Sequence, residues 1–182
     1  FLGLTVQNFV SAATGIAVLF ALIRGFRQTK GEGLGSFWSD MVRIVLFVLI
    51  PVSIVSSLCI AGGGVVQNLS ASDKATLVEP IGQPVEGPTI VTEQFLPQGP
   101  VASQVAIKQA GTNGGGFFGC NSAHPFENPS AWTNLVESTL ILLIPAALCF
   151  TFGIAVGHRR QGVALFAAMA VLLAVSLTAV GV

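Results

Sequence analysis

Charge is what this sequence has least of. Only 9% of its 182 side chains are Asp, Glu, Lys or Arg, where soluble domains carry roughly 25%, so an ordinary water-soluble domain is excluded. Eight basic residues balance eight acidic ones, which removes the long-range field that nucleic-acid binders use, and a nucleic-acid partner goes with it. Cysteine is scarce and scattered. Cys59, Cys120 and Cys149 form no close pair and have no His at ligand spacing, so they suggest neither a zinc site nor a disulfide framework and read as small buried side chains. No initiator Met stands at Phe1, no basic segment precedes the first apolar block, and the last block runs to Val182. The chain therefore reads as a piece of a longer polypeptide rather than a signal peptide followed by a domain.

What is present is apolar surface, arranged in blocks. Hydrophobic residues make up 52% of the chain and the mean hydropathy is +0.79. Uncharged runs extend over Phe1 to Ile23, Ile44 to Ser72, Ser138 to His158 and Gln161 to Val182, and a hydrocarbon core needs about 20 residues to cross it. An all-α membrane protein with four spans in a lipid bilayer follows, the helices expected near 1–24, 43–66, 135–157 and 162–182. Pro51 and Pro145 each remove a backbone donor and predict a bend. Thr5, Gln7, Asn8, Ser11 and Thr14 punctuate the first block, either lining a wet cavity or sitting among headgroups.

Basic residues fix an expected orientation, because short basic loops resist translocation. Arg24, Arg27, Lys30 and Arg43 flank the first link, and Arg159 and Arg160 fill the last. Two crossings separate these links, so loops 24–43 and 158–161 are both expected to be cytoplasmic and segment 67–134 external. That segment holds only Lys74 and Lys108 against Asp73, Glu79, Glu86, Glu93 and Glu127.

The external segment divides in two. Residues 67–99 are punctuated by Pro80, Pro84, Pro88 and Pro97 with Gly82 and Gly87, while Val85, Ile90, Val91, Phe95 and Leu96 are too scattered for a core. An irregular surface loop is expected, with room for a short hairpin. Asn68-Leu69-Ser70 fits the glycosylation sequon, a pattern too short to carry weight. From Gly99 the composition changes. Pro100 and Gly111 bracket ten helix-forming residues as start and stop signals, giving a helix over about 100–110. At about 15 Å it is too short to cross a bilayer.

Thr112-Asn113-Gly114-Gly115-Gly116-Phe117-Phe118 follows at once. Non-helical backbone at membrane depth persists only when protein surrounds it or when it lines a polar path. Consecutive glycines can turn successive carbonyls toward one axis, where the oxygens replace the water of a dehydrated cation. The C-terminal end of the short helix adds about half a negative charge aimed at the same point. Together these favour a monovalent cation, with Phe117 and Phe118 as bulk behind the strand. A flexible glycine turn is the plain alternative. A phosphate loop is excluded, because Phe follows Gly116 where Gly-Lys-Ser/Thr is required. Ser103, Ser122 and His124 form no recognisable triad, so the chain is not expected to be catalytic. Lys108 is awkward beside a cation and is expected to point to the outer water or to an acidic partner. His124 and Glu127 either form an ion-attracting vestibule or fix the loop.

Six stretches carry a family resemblance: Leu4-Thr-Val-Gln-Asn-Phe9, Gly99-Pro-Val-Ala-Ser-Gln104, Gly111-Thr-Asn-Gly-Gly-Gly-Phe-Phe118, Asn121-Ser-Ala-His-Pro-Phe-Glu-Asn-Pro129, Ile144-Pro-Ala-Ala-Leu-Cys-Phe-Thr-Phe-Gly153 and Arg159-Arg-Gln-Gly162. They resemble the potassium-binding A subunit of the bacterial Kdp-type potassium-transporting ATPase. The resemblance runs along nearly the whole chain and departs at Ala71 to Gln98 and at Gly119-Cys120. It implies a potassium-channel-like fold of four joined units, each a helix, a pore helix, a filter strand and a second helix. Residues 1–24 would close one unit, 36–157 form the next, and 162–182 open a third. The filter would be Thr112, Asn113, Gly114, Gly115 and Gly116, with potassium as transported substrate and no other metal or cofactor. The resemblance also implies a P-type subunit that hydrolyses ATP, two small accessory subunits and the bacterial inner membrane. The chain itself has no phosphorylatable Asp-Lys-Thr-Gly motif. A non-conducting scaffold whose glycine loop only packs against partners is the alternative from another class.

Overall fold

Each apolar block is a helix. The computed structural model describes residues 1–27, 33–83 and 89–181. Lys30, the segment 84–88 with its two prolines, and Val182 lie outside them. The long helices are α1 (Leu2–Arg27), α2 (Phe37–Gly62), α4 (Ala131–Ala155) and α5 (Arg159–Val180), all long and apolar enough to cross a membrane. Between α2 and α4 lie two strands, β1 (Ser72–Gln83) and β2 (Thr89–Pro97), then the short helix α3 (Val101–Ala110). The fold is that of an all-α membrane protein with one hairpin among its described residues.

Charge explains why α2 starts earlier than its uncharged run. Ser36 caps it by accepting the Ser39 N–H at 3.4 Å, which brings Asp40 and Arg43 into the helix. Asp40 is buried and forked by Arg24, whose Nη2 donates to Oδ1 at 2.9 Å and whose Nη1 meets Oδ2. The same Nη1 donates to the Leu34 carbonyl at 3.1 Å. One guanidinium thus ties the end of α1 to the start of α2, a bidentate use for which lysine has no geometry. At Pro51 the helix carries a π-turn over Val45–Leu49; the extra residue accommodates a ring that lacks an N–H and crowds the preceding turn. Pro145 sits within an unbroken α4.

Two ends of the bundle can be told apart. Phe26 of α1 meets Phe152 of α4 edge-on at 6.4 Å, so the links that carry Arg24 and Arg159 lie at the same end. Near it α4 and α5 touch backbone to backbone, since a Cβ on Gly153 would stand 2.7 Å from the Gly162 nitrogen. Glycine permits that approach, as in small-residue helix contacts generally. At the other end Gly63 leaves no room for a Cβ against Thr133. There the capping box of Ser130 and Thr133 starts α4.

The segment read as an irregular loop is largely regular. β1 and β2 pair antiparallel from Ser72↔Pro97 to Gln83↔Thr89, with a register shift between Thr76 and Ile81. Thr76, Val78, Val91 and Thr92 are residue types that favour extended backbone, a local preference that the prolines and glycines mask in the sequence. No hairpin side chain among the described residues is buried: Val78 is 99% exposed and Phe95 60%.

α3 is the opposite case. Nine of its ten residues are buried, enclosed by α1, α2 and α4. Val101, Val105, Ala106 and Ala110 pack with Ile60 of α2 and Leu140 of α4, while Ile107 joins Ala13 and Ile16 of α1. Pro100 stands just before the helix rather than in its first turn, so the leading N–H groups need outside acceptors. The Val66 carbonyl accepts from Val101 and Ala102 at 3.1 and 3.0 Å. Gln67 Oε1 accepts from Ser103 at 2.9 Å.

Candidate functional site

The C-terminal end of α3 runs directly into the glycine strand. Gly111 keeps helical φ, and the reversal falls on Thr112 with φ 54°. Gly111 is required by close approach instead: a Cβ there would meet Asn113 Nδ2 at 2.5 Å and the Asn8 carbonyl at 3.1 Å. Asn113 then anchors the strand, donating from Nδ2 to the carbonyls of Asn8 and Gly111, both at 3.1 Å. Of the polar residues in the first block, Asn8 is buried and Gln7 reaches Asn113 Oδ1 at 3.5 Å.

The three glycines serve three different ends. Gly114 takes φ +73°, which disfavours any side chain. Gly115 has ordinary space, with Leu4 Cδ2 3.7 Å from a would-be Cβ. At Gly116 a Cβ would collide with the Gly119 carbonyl. The Gly114 carbonyl accepts the Asn121 N–H at 2.9 Å. No described residue donates to the carbonyls of Thr112, Asn113, Gly115 or Gly116. Thr112 is exposed and residues 113–119 are half-buried. Four acceptors therefore stand unpaired on a strand at the end of a buried helix.

Both phenylalanines pack beside the strand. Phe117 lies against Phe1 at 6.3 Å and over Gly99, where a Cβ would stand 2.7 Å from its ring. Phe118 stacks with His124 at 5.1 Å and Phe126 at 5.9 Å. His124 Nδ1 accepts the Phe126 N–H at 3.1 Å, a loop-fixing role. Below the strand a cavity of about 240 Å³ opens between α1, α3 and α4, lined by Ser11, Gly15, Thr112, Asn113 and Pro145.

Lys108 does not face outer water; its acidic partner is internal. The side chain is 0% exposed, and Nζ donates to Glu127 Oε2 and to Ser122 Oγ, each at 2.6 Å. Glu127 is equally buried, and its other oxygen accepts the N–H of Phe118 at 2.5 Å and of Gly119 at 3.3 Å. Burial pushes the Glu127 carboxyl upward, but the Lys108 hydrogen bond, the Phe118 amide, the Lys108 charge and the Gly119 amide outweigh it and hold it below the usual glutamate range. Breaking such a pair by removing one partner typically costs about 3–5 kcal/mol, because a bare charge is left in low dielectric.

A second buried carboxylate adjoins the first. Gln109 Nε2 donates to Glu137 Oε2 at 2.8 Å and to Ser122 Oγ at 3.0 Å. Ser122 and Asn121 are both left-handed, at φ 56° and 52°. Each such residue stores roughly 1–3 kcal/mol unless its surroundings hold it, and here two side chains of α3 grip the Ser122 hydroxyl. Sequence reasoning did not find this network. The available signal was Glu137 itself, an ionisable group at the head of an apolar span, which by default has a partner inside the protein.

The cysteines do not behave as one class. Cys149 is buried with its Sγ 3.4 Å from Met169 Sδ, whereas Cys59 and Cys120 are exposed, which corrects the reading of all three as buried. No cluster of His, Cys, Asp or Glu able to hold a metal occurs among the described residues.

Comparison with known proteins bears on the whole chain. A family model described as potassium-transporting ATPase A subunit matches residues 1–182. The potassium-transporting ATPase potassium-binding subunit of Clostridium botulinum (strain Eklund 17B / Type B) is 59% identical over 181 residues, which cover 100% of this chain and 31% of that one. The protein of the same name from Bordetella pertussis is 57% identical, covering 95% and 32%, and that from Desulfovibrio desulfuricans 59%, covering 97% and 30%. The chain thus spans about a third of the length of the curated relatives it matches.

Proposed function

Because the chain belongs to the potassium-transporting ATPase A-subunit family, we propose that its glycine strand binds and selects potassium, as one side of a channel-like filter in an ATP-driven uptake complex. The carbonyls of Thr112, Asn113, Gly114, Gly115 and Gly116 are the ligands in this reading, replacing the water of a dehydrated ion. One observation carries it: unpaired backbone acceptors stand at the C-terminal end of a short helix buried on all sides. That helix end concentrates about half a negative charge at the strand, a poor place for an anion and a good one for a monovalent cation.

One strand supplies oxygens from one side only. The remaining ligands come from other parts of a longer protein, in keeping with relatives about three times this length. Residues 36–157 are the complete helix, pore helix, filter and helix unit in this reading, with α1 and α5 belonging to its neighbours. Loops 24–43 and 158–161 face the cytoplasm of a bacterial inner membrane and segment 67–134 faces outward; the meeting of Phe26 with Phe152, which brings both basic links to one end, supports this sidedness. ATP hydrolysis belongs to a separate P-type subunit, and two small subunits complete the complex.

The competing reading is a scaffold whose loop only packs. The bond from Asn121 to the Gly114 carbonyl favours it, since it occupies one of the proposed ligands. Substituting Gly114→Asp in the full-length subunit separates the two. Filter function predicts weaker discrimination of potassium from rubidium or sodium with membrane assembly retained, whereas unchanged discrimination supports the scaffold.

A further inference from the structure

A lysine in the last turn of a pore helix is a problem for any cation site. Lys108 lies four residues before Thr112, and its backbone carbonyl accepts the Asn113 N–H at 3.1 Å. A bare ammonium there would cancel the partial negative charge of the helix end and oppose the ion. The charge is met at once by Glu127, at 2.6 Å and with no solvent contact on either side chain. The carboxylate has a second task. Its other oxygen holds the Phe118 and Gly119 amides and lies 3.1 Å from where a Cβ of Gly116 would stand. One buried group therefore touches the lysine, the end of the glycine strand and the turn beyond it.

Resting on the filter reading above, we propose that Glu127 is a positioning residue for potassium selection, which neutralises Lys108 behind the strand and fixes the strand's outer end through the Phe118 and Gly119 amides. The pair acts as a unit. Its net charge is zero, so the helix end keeps its polarity toward the ion; its geometry is fixed further by Ser122 Oγ on the ammonium and two amides on the carboxylate.

Charge compensation predicts unequal effects for the two single variants, a weakening from Glu127→Gln alone, which simple structural support does not. Glu127→Gln removes the carboxylate that contacts the ammonium, leaving only Glu137, which does not bond it, and should raise the potassium concentration for half-maximal transport by roughly tenfold or more. Lys108→Met leaves a carboxylate or a neutral acid and should leave that concentration unchanged or lower it. The double variant should return to within about threefold of the parent, as coupled neighbours do in a double-mutant cycle.

The experiment is potassium-dependent transport and potassium-over-rubidium discrimination by the full-length subunit in its complex, with Gly114→Asp as reference and membrane abundance measured throughout. A raised concentration for Glu127→Gln beside an unchanged or lowered one for Lys108→Met, or a parent-like double variant where Glu127→Gln fails to accumulate, supports the inference. Equal weakening by both single variants, a weakened double variant, or a silent Glu127→Gln beside a Gly114→Asp that loses discrimination overturns it while sparing the filter. If Gly114→Asp is silent as well, the filter reading itself fails and this inference falls with it.

Discussion

Between α2 and α4 the chain builds two neighbouring segments in opposite ways. The hairpin of β1 and β2 is held by its own ladder, an exposed Lys74–Glu93 pair at 3.4 Å and the Lys74 ammonium 5.3 Å over the Phe95 ring. The segment from α3 to the start of α4 is held by a buried network: Lys108, Gln109, Ser122, Glu127 and Glu137 bond one another and nearby amides, while Glu137 Oε1 has no hydrogen-bond partner among the described residues. Exposed ion pairs contribute little, about 0–1 kcal/mol, because water screens both partners. Buried ones impose geometry, because any displacement leaves a charge unsatisfied. The hairpin is held by its own ladder and can vary, whereas the geometry of the second segment is imposed by its buried charges.

That contrast can be broken first at Gly116. A Cβ there collides with the Gly119 carbonyl, so Gly116→Ala should cost on the order of 3 kcal/mol and show as loss of folded subunit in thermal unfolding. Gly115→Ala, where the nearest atom stands at an ordinary 3.7 Å, should stay within about 1 kcal/mol. Next comes Glu127→Ala, which strands Lys108 and frees two amides; a loss of about 3–5 kcal/mol is expected, read as a lower unfolding midpoint. Asp40→Asn then tests whether the guanidinium clamp between α1 and α2 matters, and a loss of about 1–2 kcal/mol is expected since the Arg24 side chain is partly exposed. Smallest of all, Lys74→Ala in the hairpin should change stability by less than about 0.5 kcal/mol and leave potassium discrimination untouched.

The same contrast governs what could be read from residues alone. The spans were legible because membrane helices announce themselves by length and by missing charge, and α3 because Pro100 and Gly111 bracket it. The start of α2 was missed: the uncharged run begins only after Arg43, and the helix reaches back to Asp40, whose partner Arg24 lies sixteen residues away. The hairpin was legible only as a short possibility within an irregular loop, and of its prolines Pro80 falls within the register shift between Thr76 and Ile81. Lys108 was legible only in part. Its helix position left outer water or an acidic partner open, and the acid that holds it lies nineteen residues on, beyond a glycine strand whose path no periodicity encodes. Pairings of this kind are decided by tertiary contact, and a lone buried charge signals only that a partner exists.

The most direct test of the central claim is to locate the ion. The full-length subunit in its complex, loaded with thallium as a heavy stand-in for potassium, can be imaged by anomalous diffraction. A peak within coordination distance of the peptide oxygens of Thr112 to Gly116 is the expected result. A peak elsewhere in the subunit, with these five oxygens turned from it, would contradict the account.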